Sequence, residues 1–188
     1  MNTSIASKDG YTIRLATQQD ALNYYQQNYC PLDKDVAYYT GCKEMFTKDE
    51  VISFFMKSLE DENRRFFLIV DEKENIIGET VINEIDWTVR SANFRIAVFA
   101  QSGRDKGIGS WATRITRDYA FEELHLHRLS LDVFSFNIRA YKAYTKAGFK
   151  REGVLRDAVF DGKKYADDIL MAILEDEWKE LKKLESED

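Results

Sequence analysis

Three β-rich runs follow one another in the middle of the chain with no helical pattern between them, and this arrangement constrains the fold more than any other feature. The runs are RRFFLIVDE, NIIGETVINEID and ANFRIAVFA, joined by polar, turn-like segments such as DEKEN. Consecutive strands joined by short turns pair in antiparallel order, so the runs predict a β-meander. The chain therefore has an antiparallel core, and the segment QSGRDKGIGS leaves it at the end of the third strand.

Two helices are predicted before the meander, after a first strand at YTIRLAT. Thr17 and Asp20 resemble a helix N-terminus, and the helix that follows should end by Pro31. Thr47 and Glu50 fit a capping box before a second helix, in which apolar residues recur at helical spacing. A polar, aromatic link, CPLDKDVAYYTGCKEM, separates the two helices, and links of this length often carry recognition residues.

The glycine-containing segment opens a third, amphipathic helix. One helical face of it carries the apolar residues Ile108, Trp111, Ala112, Ile115, Tyr119 and Ala120. After it come a strand at RLSLDVFSF, a short helix at NIRAYKAYTKA that Gly148 ends, and a hairpin that turns at Asp161 and Gly162. The closing EDEWKELKKLE predicts a helix because its acids come first and its lysines later, in keeping with the helix dipole.

These elements predict one domain that spans residues 1–188. Their order is β, α, α, β, β, β, α, β, α, β, β, α, and a chain of 188 residues suits a single domain with a sizeable core. No repeat, low-complexity tract or linker rich in proline and glycine interrupts this order. The predicted fold class is therefore α/β, in the α+β sense of a mixed, mostly antiparallel central sheet of about seven strands flanked by helices.

The charge balance narrows the classes of partner. With a net charge of −6 and a pI near 5.1, the chain would repel nucleic-acid phosphates and anionic membrane surfaces, and it attracts a cationic ligand more easily. The longest apolar run, FFLIV, is far shorter than the roughly 20 residues that span a bilayer. Cys30 and Cys42 form no CxxC motif, and the start MNTSIASKDG carries no apolar signal segment. We expect a reduced, cytoplasmic protein with neither nucleic acid nor membrane as a partner.

The glycine-containing segment has the properties of a phosphate site. The N-terminus of a helix offers free backbone N–H groups and a positive dipole end, and glycines let an anion approach the backbone. Gly107 and Gly109 supply that access, and Arg104 and Lys106 add positive charge beside it. The sequence therefore predicts a pyrophosphate or phosphate ligand at the start of this helix.

A dinucleotide is one alternative for that ligand, because GIGSWA fits the pattern glycine-x-glycine-x-x-glycine or alanine and Asp132 follows at the distance of a ribose-binding acid. Three observations oppose it. The residues QSGRDK separate Ala100 from Gly107, the motif comes late in the chain, and Asp132 lies in the middle of a strand. A Walker A loop is excluded, because neither GRDKG nor GIGS continues into Gly-Lys-Ser/Thr.

Two motifs together resemble the GNAT acetyltransferase family. RDKGIG is similar to its Arg/Gln-x-x-Gly-x-Gly/Ala signature, and NIRAYKAYTKAGF, from Asn137 to Phe149, is similar to its second conserved segment. The motifs stand in the family's order, and the resemblance covers nearly the whole chain. The closing EGVLRDAVFDGKKYADDILMAIL resembles the branch that contains ribosomal-protein N-terminal acetyltransferases and polyamine acetyltransferases.

The resemblance implies a role for individual residues. The signature loop would bind the pyrophosphate of acetyl-coenzyme A (acetyl-CoA), the preceding strand would hydrogen-bond the pantetheine arm and the thioester carbonyl, and Asn137 would fix the arm from the other side. The cofactor-binding residues implied are Ile96, Ala97, Val98, Arg104, Asp105, Lys106, Gly107, Ile108, Gly109, Ser110 and Asn137. Tyr144 would be the general acid, because a phenol stays protonated at neutral pH until the departing thiolate needs its proton.

A general base is also expected, because a lysine-like amine must lose a proton before it attacks. Relatives commonly carry Glu where this chain has Asn93, so the family's usual base is absent here. Glu84 is the residue we predict instead, with Asp86 or a water relay as alternatives. Around the acceptor, Asp167 is a candidate for binding a cation, and Tyr38 and Tyr39 either line the pocket or belong to a buried aromatic cluster.

The sequence thus predicts an acetyl-CoA-dependent N-acetyltransferase in which a primary amine attacks the thioester directly in a ternary complex. The acceptor stays open among a protein N-terminus, a polyamine and another small amine. A non-catalytic acyl-CoA-binding module and a dinucleotide-dependent oxidoreductase remain alternatives.

A metal site is not expected. His125 and His127 have no cysteine nearby, and a surface junction between a helix and a strand explains them better than a metal site does. Dimers are the commonest oligomers of proteins, and on that ground alone we expect a homodimer.

Overall fold

A central sheet of eight strands organises the protein, whose computed structural model describes residues 4–99 and 106–187. The strands are β1 (Ser4–Lys8), β2 (Tyr11–Leu15), β3 (Arg65–Val70), β4 (Ile76–Asp86), β5 (Ser91–Val98), β6 (Arg128–Phe134), β7 (Lys150–Phe160) and β8 (Tyr165–Leu174). The helices are α1 (Ala21–Asn28), α2 (Lys34–Thr40), α3 (Lys48–Glu60), α4 (Ile108–Glu122), α5 (Ile138–Lys146) and α6 (Glu175–Glu187), with a short 3₁₀ helix (Gln18–Asp20) before α1.

The strand order is β1-β2-β3-β4-β5-β6-β8-β7, and only the β5–β6 pair is parallel among the ladders of the described residues. The prediction of a mixed, mostly antiparallel sheet flanked by helices is confirmed. The sheet has eight strands where about seven were predicted, because SIASK in β1 lacks an alternating apolar pattern and joins the sheet through its ladder to β2. None of the helices in the described residues is long and apolar enough to cross a membrane.

Helix α2 is the second element that the sequence analysis did not predict, since it lies inside the polar link. Asp33 caps its start by accepting hydrogen bonds from the backbone N–H groups of Asp35 and Val36. Gly41 ends it in the left-handed region at φ +69°. The helix buries Val36 and Ala37 against the sheet. The Asp and Gly at its two ends were the readable signals of this short helix.

The other local predictions agree with the structure. The capping box is present, because the Thr47 hydroxyl accepts from Glu50 N at 3.3 Å and the Glu50 carboxylate accepts from Thr47 N at 2.7 Å. Helix α1 ends at Asn28, before Pro31, and the β7–β8 hairpin turns at residues 161–164. Sequence-local signals were therefore sufficient for these helix ends and turns.

The two faces of the sheet carry separate apolar cores. Strand β3 shows the alternation, since Phe67 and Ile69 enter one core while Phe66 and Leu68 enter the other. The first core packs beneath α4, α5 and α6, and the second packs beneath α1, α2 and α3. We call the side with α4, α5 and α6 the first face, and the side with α1, α2 and α3 the second face.

The sheet opens between β5 and β6. These strands pair only through residues 91–93 of β5 and 128–130 of β6, and beyond that point they diverge. Strand β5 stays paired with β4 along its length, and β6 stays paired with β8. The divergence leaves a cleft through the sheet, with α4 and α5 at one side of it and α2 at the other.

Gly148 follows α5 at φ +92°, and a Cβ there would lie 2.7 Å from Leu181 Cδ2 and 2.9 Å from Ile173 Cδ1. Gly162 in the hairpin turn has nearly the same φ, +93°, but a Cβ there would meet no atom of residues 4–99 or 106–187 within 4 Å. We expect Gly162→Ala to lower the free energy of unfolding by about 1 kcal/mol through backbone strain alone. Gly148→Ala should lower it by about 1–3 kcal/mol more because of crowding. Urea denaturation of both variants measures the difference, and equal losses would show that α6 yields to the added methyl group.

Candidate active site

The cleft between β5 and β6 has a volume of about 690 Å³ and collects most of the predicted site residues. Its lining comes from β5, the start of α4, β6, α5 and α2. The predicted residues that line it are Ile96, Ala97, Val98, Gly107, Gly109, Ser110, Asn137 and Tyr144. Residues that lie more than 45 positions apart in the sequence therefore share one concave site, as small-molecule sites usually require.

The remaining predicted residues lie elsewhere. The Ile108 side chain is buried in the first-face core, and the exposed Lys106 places its Nζ 3.5 Å from the Tyr11 hydroxyl. Arg104 and Asp105 lie outside the described residues. Glu84 is exposed at an irregular point of the β4–β5 ladder, at φ +55°, and does not line the cleft. The prediction of Glu84 as the base thus receives no support from its position.

The start of α4 presents an anion-binding surface to the cleft. Gly107 adopts φ +76°, and the first hydrogen bond within the helix runs from Trp111 N to Gly107 O at 2.9 Å. The N–H groups of Ile108, Gly109 and Ser110 precede that bond, so they point out of the helix start. Among the described residues, a Cβ at Gly109 would come no closer than 3.6 Å, and one at Gly107 would meet nothing within 4 Å. The space beside both glycines therefore suits a phosphate group.

Strand β5 presents part of its backbone to the cleft. Phe99 N donates to Ile77 O at 2.8 Å, which directs the polar groups of Phe99, and by alternation those of Ala97, toward β4. The polar groups of Phe94 and Ile96 then point the other way, into the cleft, where no strand of the described residues pairs with them. An extended ligand can hydrogen-bond to this edge as a neighbouring strand would.

Tyr144 reaches the cleft from α5. Its ring meets those of Phe94 and Phe149 edge-on, with centroids 6.3 and 6.2 Å away. Burial raises the pKa of Tyr144 above its ordinary value, and the nearby Asp132 carboxylate raises it further while Arg95 opposes both. Its hydroxyl makes no hydrogen bond to the described residues. The phenol is therefore protonated at neutral pH and available to a ligand.

Asn137 also lines the cleft, and its side chain has a structural task. Its Oδ1 atom accepts a hydrogen bond from Ala140 N at 3.2 Å and so caps α5. A contact with a pantetheine arm would therefore come from the Asn137 amide nitrogen. The same cap fixes the start of the helix that carries Tyr144.

Carboxylates lie where the cleft opens toward α2. Asp132 is exposed on β6, and Asp168 on β8 pairs with Phe134, two residues farther along β6. Strand alternation places both carboxylates on the second face. Asp168 Oδ1 is buried without a hydrogen-bond partner, and burial followed by the charge of Asp132 raises the pKa of Asp168. Asp167, the predicted cation ligand, accepts instead from Asp157 N at 3.0 Å within the hairpin.

Glu79 is a further residue that the sequence analysis missed. It lies on β4 opposite the cleft-lining Ala97, and Tyr24 donates its hydroxyl hydrogen to the Glu79 carboxylate. Burial raises the pKa of Glu79 to about 7. An acid in the middle of the otherwise apolar stretch IIGETVI was the signal that could have revealed it.

The cleft thus combines a helix N-terminus for a phosphate, an open strand edge for an extended arm and a protonated tyrosine between them. A family model described as an acetyltransferase (GNAT) domain matches residues 13–170. The chain belongs to the GNAT acetyltransferase family. This GNAT enzyme is an acetyl-CoA-dependent N-acetyltransferase, so the alternatives of a dinucleotide oxidoreductase and a non-catalytic module are wrong.

Individual relatives support the same family. Over 130 residues the chain is 32% identical to spermidine N(1)-acetyltransferase of Vibrio cholerae, which covers 69% of this chain and 75% of that protein. It is 29% identical over 142 residues to the N-acetyltransferase YnaD of Bacillus subtilis, covering 71% of this chain and 78% of that protein. The structure of V. cholerae spermidine N-acetyltransferase in complex with CoA and spermine superposes with a TM-score of 0.81 at 27% identity, over 92% of this chain and 99% of that chain.

Proposed function

We propose that this GNAT enzyme acetylates a primary amine of an aliphatic polyamine, with spermidine or spermine as the representative acceptor. The observation that carries the proposal is a pair of carboxylates on the second face: Asp132 lines the cleft, and Asp168 lies diagonally across from it on β8. Neither forms a salt bridge within the described residues. A diagonal pair across two strands has its side chains about 7 Å apart, a spacing that suits one ammonium group held between or beside them.

Aromatic side chains beside these carboxylates support the same class of acceptor. Phe136 packs against Tyr38 with ring centroids 4.7 Å apart, against Phe134 at 5.4 Å and against Tyr39 at 6.2 Å. Tyr39 and Phe134 also line the cleft. Aromatic faces attract ammonium groups and cover methylene chains, and a polyamine contains both. The V. cholerae relative was solved with spermine as well as CoA.

Each part of acetyl-CoA has a proposed place in the cleft. The pyrophosphate lies on the N–H groups at the start of α4, together with the signature residues 104–106 that precede it. The pantetheine arm follows the open edge of β5 and meets Asn137 from the other side. The thioester carbonyl accepts a hydrogen bond from an N–H group of residues 96–98, which stabilises the negative charge that develops on its oxygen.

The proposed reaction is a direct transfer in a ternary complex. The neutral amine nitrogen attacks the acetyl carbonyl carbon, and the bond from that carbon to sulfur then breaks. Tyr144 gives its phenolic proton to the departing thiolate, and the proton that the amine nitrogen loses as the amide forms restores the Tyr144 phenol. The raised pKa of Tyr144 keeps that proton in place until the sulfur leaves.

One residue favours a second kind of acceptor. Arg95 lines the cleft on the second face, and its guanidinium could bind the carbonyl or carboxylate of a peptide or amino acid. A protein N-terminus is therefore the competing acceptor.

The homodimer and the cytoplasmic location stay predictions for this chain, and one V. cholerae relative is described as dodecameric.

A panel of acceptors tests the proposed function. Release of CoA thiol is measured with spermidine, spermine, butylamine and a short peptide with a free N-terminus. We expect kcat/KM for the two polyamines to exceed that for butylamine by at least about tenfold, because butylamine lacks a second ammonium group. Higher kcat/KM for the peptide than for spermidine would replace the polyamine proposal with the N-terminal one.

Asp168→Asn tests the carboxylate pair. A hydrogen bond to a charged group contributes about 1.5–3 kcal/mol, so KM for spermidine should rise about 10–100-fold. KM for acetyl-CoA and KM for butylamine should change little, and Asp132→Asn should act in the same direction. Asp167→Asn is the matched control, because its carboxylate binds a backbone N–H in the hairpin. An equal rise of KM for spermidine and butylamine in Asp168→Asn would contradict the role in binding the second ammonium group.

A further inference from the structure

Glu79 is a half-buried acid that the proposed mechanism does not use, and its position brings it next to the cleft. It pairs with Ala97 in the β4–β5 ladder. Directly paired residues of antiparallel strands have their Cβ atoms about 5 Å apart on the same face. Ala97 lines the cleft. The Glu79 carboxylate therefore lies beside the wall of the cleft, on the second face, from which the acceptor enters.

Tyr24 holds this carboxylate, and Tyr29 contacts the Tyr24 hydroxyl. The Tyr24 hydroxyl donates to Glu79 Oε2, and the hydroxyls of Tyr24 and Tyr29 are 3.0 Å apart. Tyr24 is only 1% exposed and packs against Phe55 and Phe66. The Tyr24 ring is thereby fixed, and so is the direction of its hydrogen bond to Glu79.

The positive charges near Glu79 do not bring its pKa down to that of an ordinary carboxylate. Arg95 and Arg64 face it and lower its pKa, as does the hydrogen bond from Tyr24, but burial outweighs all three and leaves the pKa at about 7. No salt bridge to Glu79 forms within the described residues. Desolvation of a carboxylate that has no ion pair destabilises the fold. Stability therefore does not explain why Glu79 is present.

The charge of Arg95 acts on both Glu79 and the proposed general acid, Tyr144. Its charge also lowers the pKa of Tyr144 on the far side of the cleft and that of Tyr29 beside Glu79. One side chain therefore lies within electrostatic reach of both Glu79 and the proposed general acid. In the proposed function the acceptor amine meets the thioester at β5, whose residue Ala97 lines the cleft and pairs with Glu79.

We propose that Glu79 is the general base of the acetyl transfer, and this inference rests on the proposed function. The acceptor ammonium gives one proton, through a water molecule beside Ala97, to the Glu79 carboxylate, which becomes a carboxylic acid. The neutral amine then attacks the acetyl carbon, the carbon–sulfur bond breaks, and the thiolate takes its proton from Tyr144. The second proton of the amine restores Tyr144, and Glu79 releases its proton to solvent. Tyr24 and Tyr29 are positioning residues for the carboxylate.

Glu79→Gln tests the base directly, because glutamine preserves the acceptor for the Tyr24 hydroxyl. A base works when deprotonated, so kcat/KM of the unaltered enzyme should rise with pH through about 7 and then level off. In Glu79→Gln we expect the plateau to fall about 100-fold and the rise near pH 7 to disappear. Affinity for acetyl-CoA, measured by calorimetry, should be unchanged.

An acceptor amine that is already neutral at pH 7 separates a base from a structural residue. Such an amine needs no deprotonation, so the loss in Glu79→Gln should shrink to a few-fold. An equal loss with neutral and protonated acceptors would overturn the inference. Glu84→Gln is the comparison, since Glu84 is the base predicted from sequence. Loss of the rise near pH 7 in Glu84→Gln but not in Glu79→Gln would also overturn it.

Tyr24→Phe keeps the test valid if Glu79→Gln folds poorly. The Tyr24 hydrogen bond lowers the pKa of Glu79, so its removal should move the rise of kcat/KM to higher pH. The plateau should fall as well, because Tyr24 positions the carboxylate, but it should fall less than in Glu79→Gln, since the base itself is retained. An unmoved profile overturns the role of Glu79. If the enzyme acetylates a peptide instead of polyamines, the polyamine proposal fails and the same pH profiles still test Glu79. If it acetylates no amine at all, both proposals fail together.

Discussion

Replacing Tyr144 by phenylalanine is expected to lower kcat by about 10²–10⁴-fold, the usual contribution of a positioned proton donor. Phenylalanine retains the ring packing against Phe94 and Phe149, so the fold and the cleft should persist. Affinity for acetyl-CoA should change by less than a few-fold, because in the proposed reaction Tyr144 acts on the sulfur only as it leaves. Thiol release gives kcat, and calorimetry gives the affinity.

Tyr141→Phe is the matched control for this prediction, since Tyr141 lies on the same helix and packs against the same core without lining the cleft. The pH dependence adds a second check. A general acid must be protonated, and burial raises the pKa of Tyr144, so the activity of the unaltered enzyme should not decline near pH 10, where an ordinary tyrosine ionises. Equal kcat in Tyr144→Phe and Tyr141→Phe would contradict the assignment of the acid.

Ser110→Glu is expected to have opposite effects on stability and on cofactor binding. Ser110 lies in the first turn of α4 and lines the cleft. A carboxylate at a helix start is favoured by the helix dipole by about 0.3–1 kcal/mol, so the free energy of unfolding should stay equal or rise. The same carboxylate would face the pyrophosphate. Like charges about 4 Å apart repel by about 4 kcal/mol at an effective dielectric of 20, and screening in the open cleft reduces this value. We therefore expect Kd for acetyl-CoA to rise at least about tenfold.

Ser110→Gln controls for the added length of the side chain and should raise Kd much less than Ser110→Glu. Calorimetry at two salt concentrations completes the test, because charge repulsion weakens as ionic strength rises. Equal Kd values for the two variants, or a rise in Kd that does not depend on salt concentration, would contradict binding of the pyrophosphate at the start of α4.

The parts of the site that sequence could reveal are those determined by local signals. Gly107 in the left-handed region, the apolar face of α4 and the cap at Asn137 are each determined within a few residues, and they mark both ends of the proposed cofactor site. Tyr144 was found through a resemblance that covers the segment around it. These residues also line the observed cleft.

The parts that sequence missed depend on strand register and on packing between distant segments. The roles of Asp167 and Asp168 turn on which face of β8 each side chain takes, and a shift of one residue exchanges them. Glu79 becomes a candidate only when β4 is paired with β5 and α1 is packed over both, since Tyr24 is 55 positions away in the sequence. The divergence of β5 and β6, which creates the cleft, likewise has no local pattern.

Thiol release from acetyl-CoA with spermidine, measured together with the acetylated product by mass spectrometry, tests the central claim most directly. We expect saturable release with one acetylspermidine formed for each CoA, and loss of both signals in Tyr144→Phe. Binding of acetyl-CoA without transfer to spermidine, or transfer that Tyr144→Phe leaves intact, would contradict it.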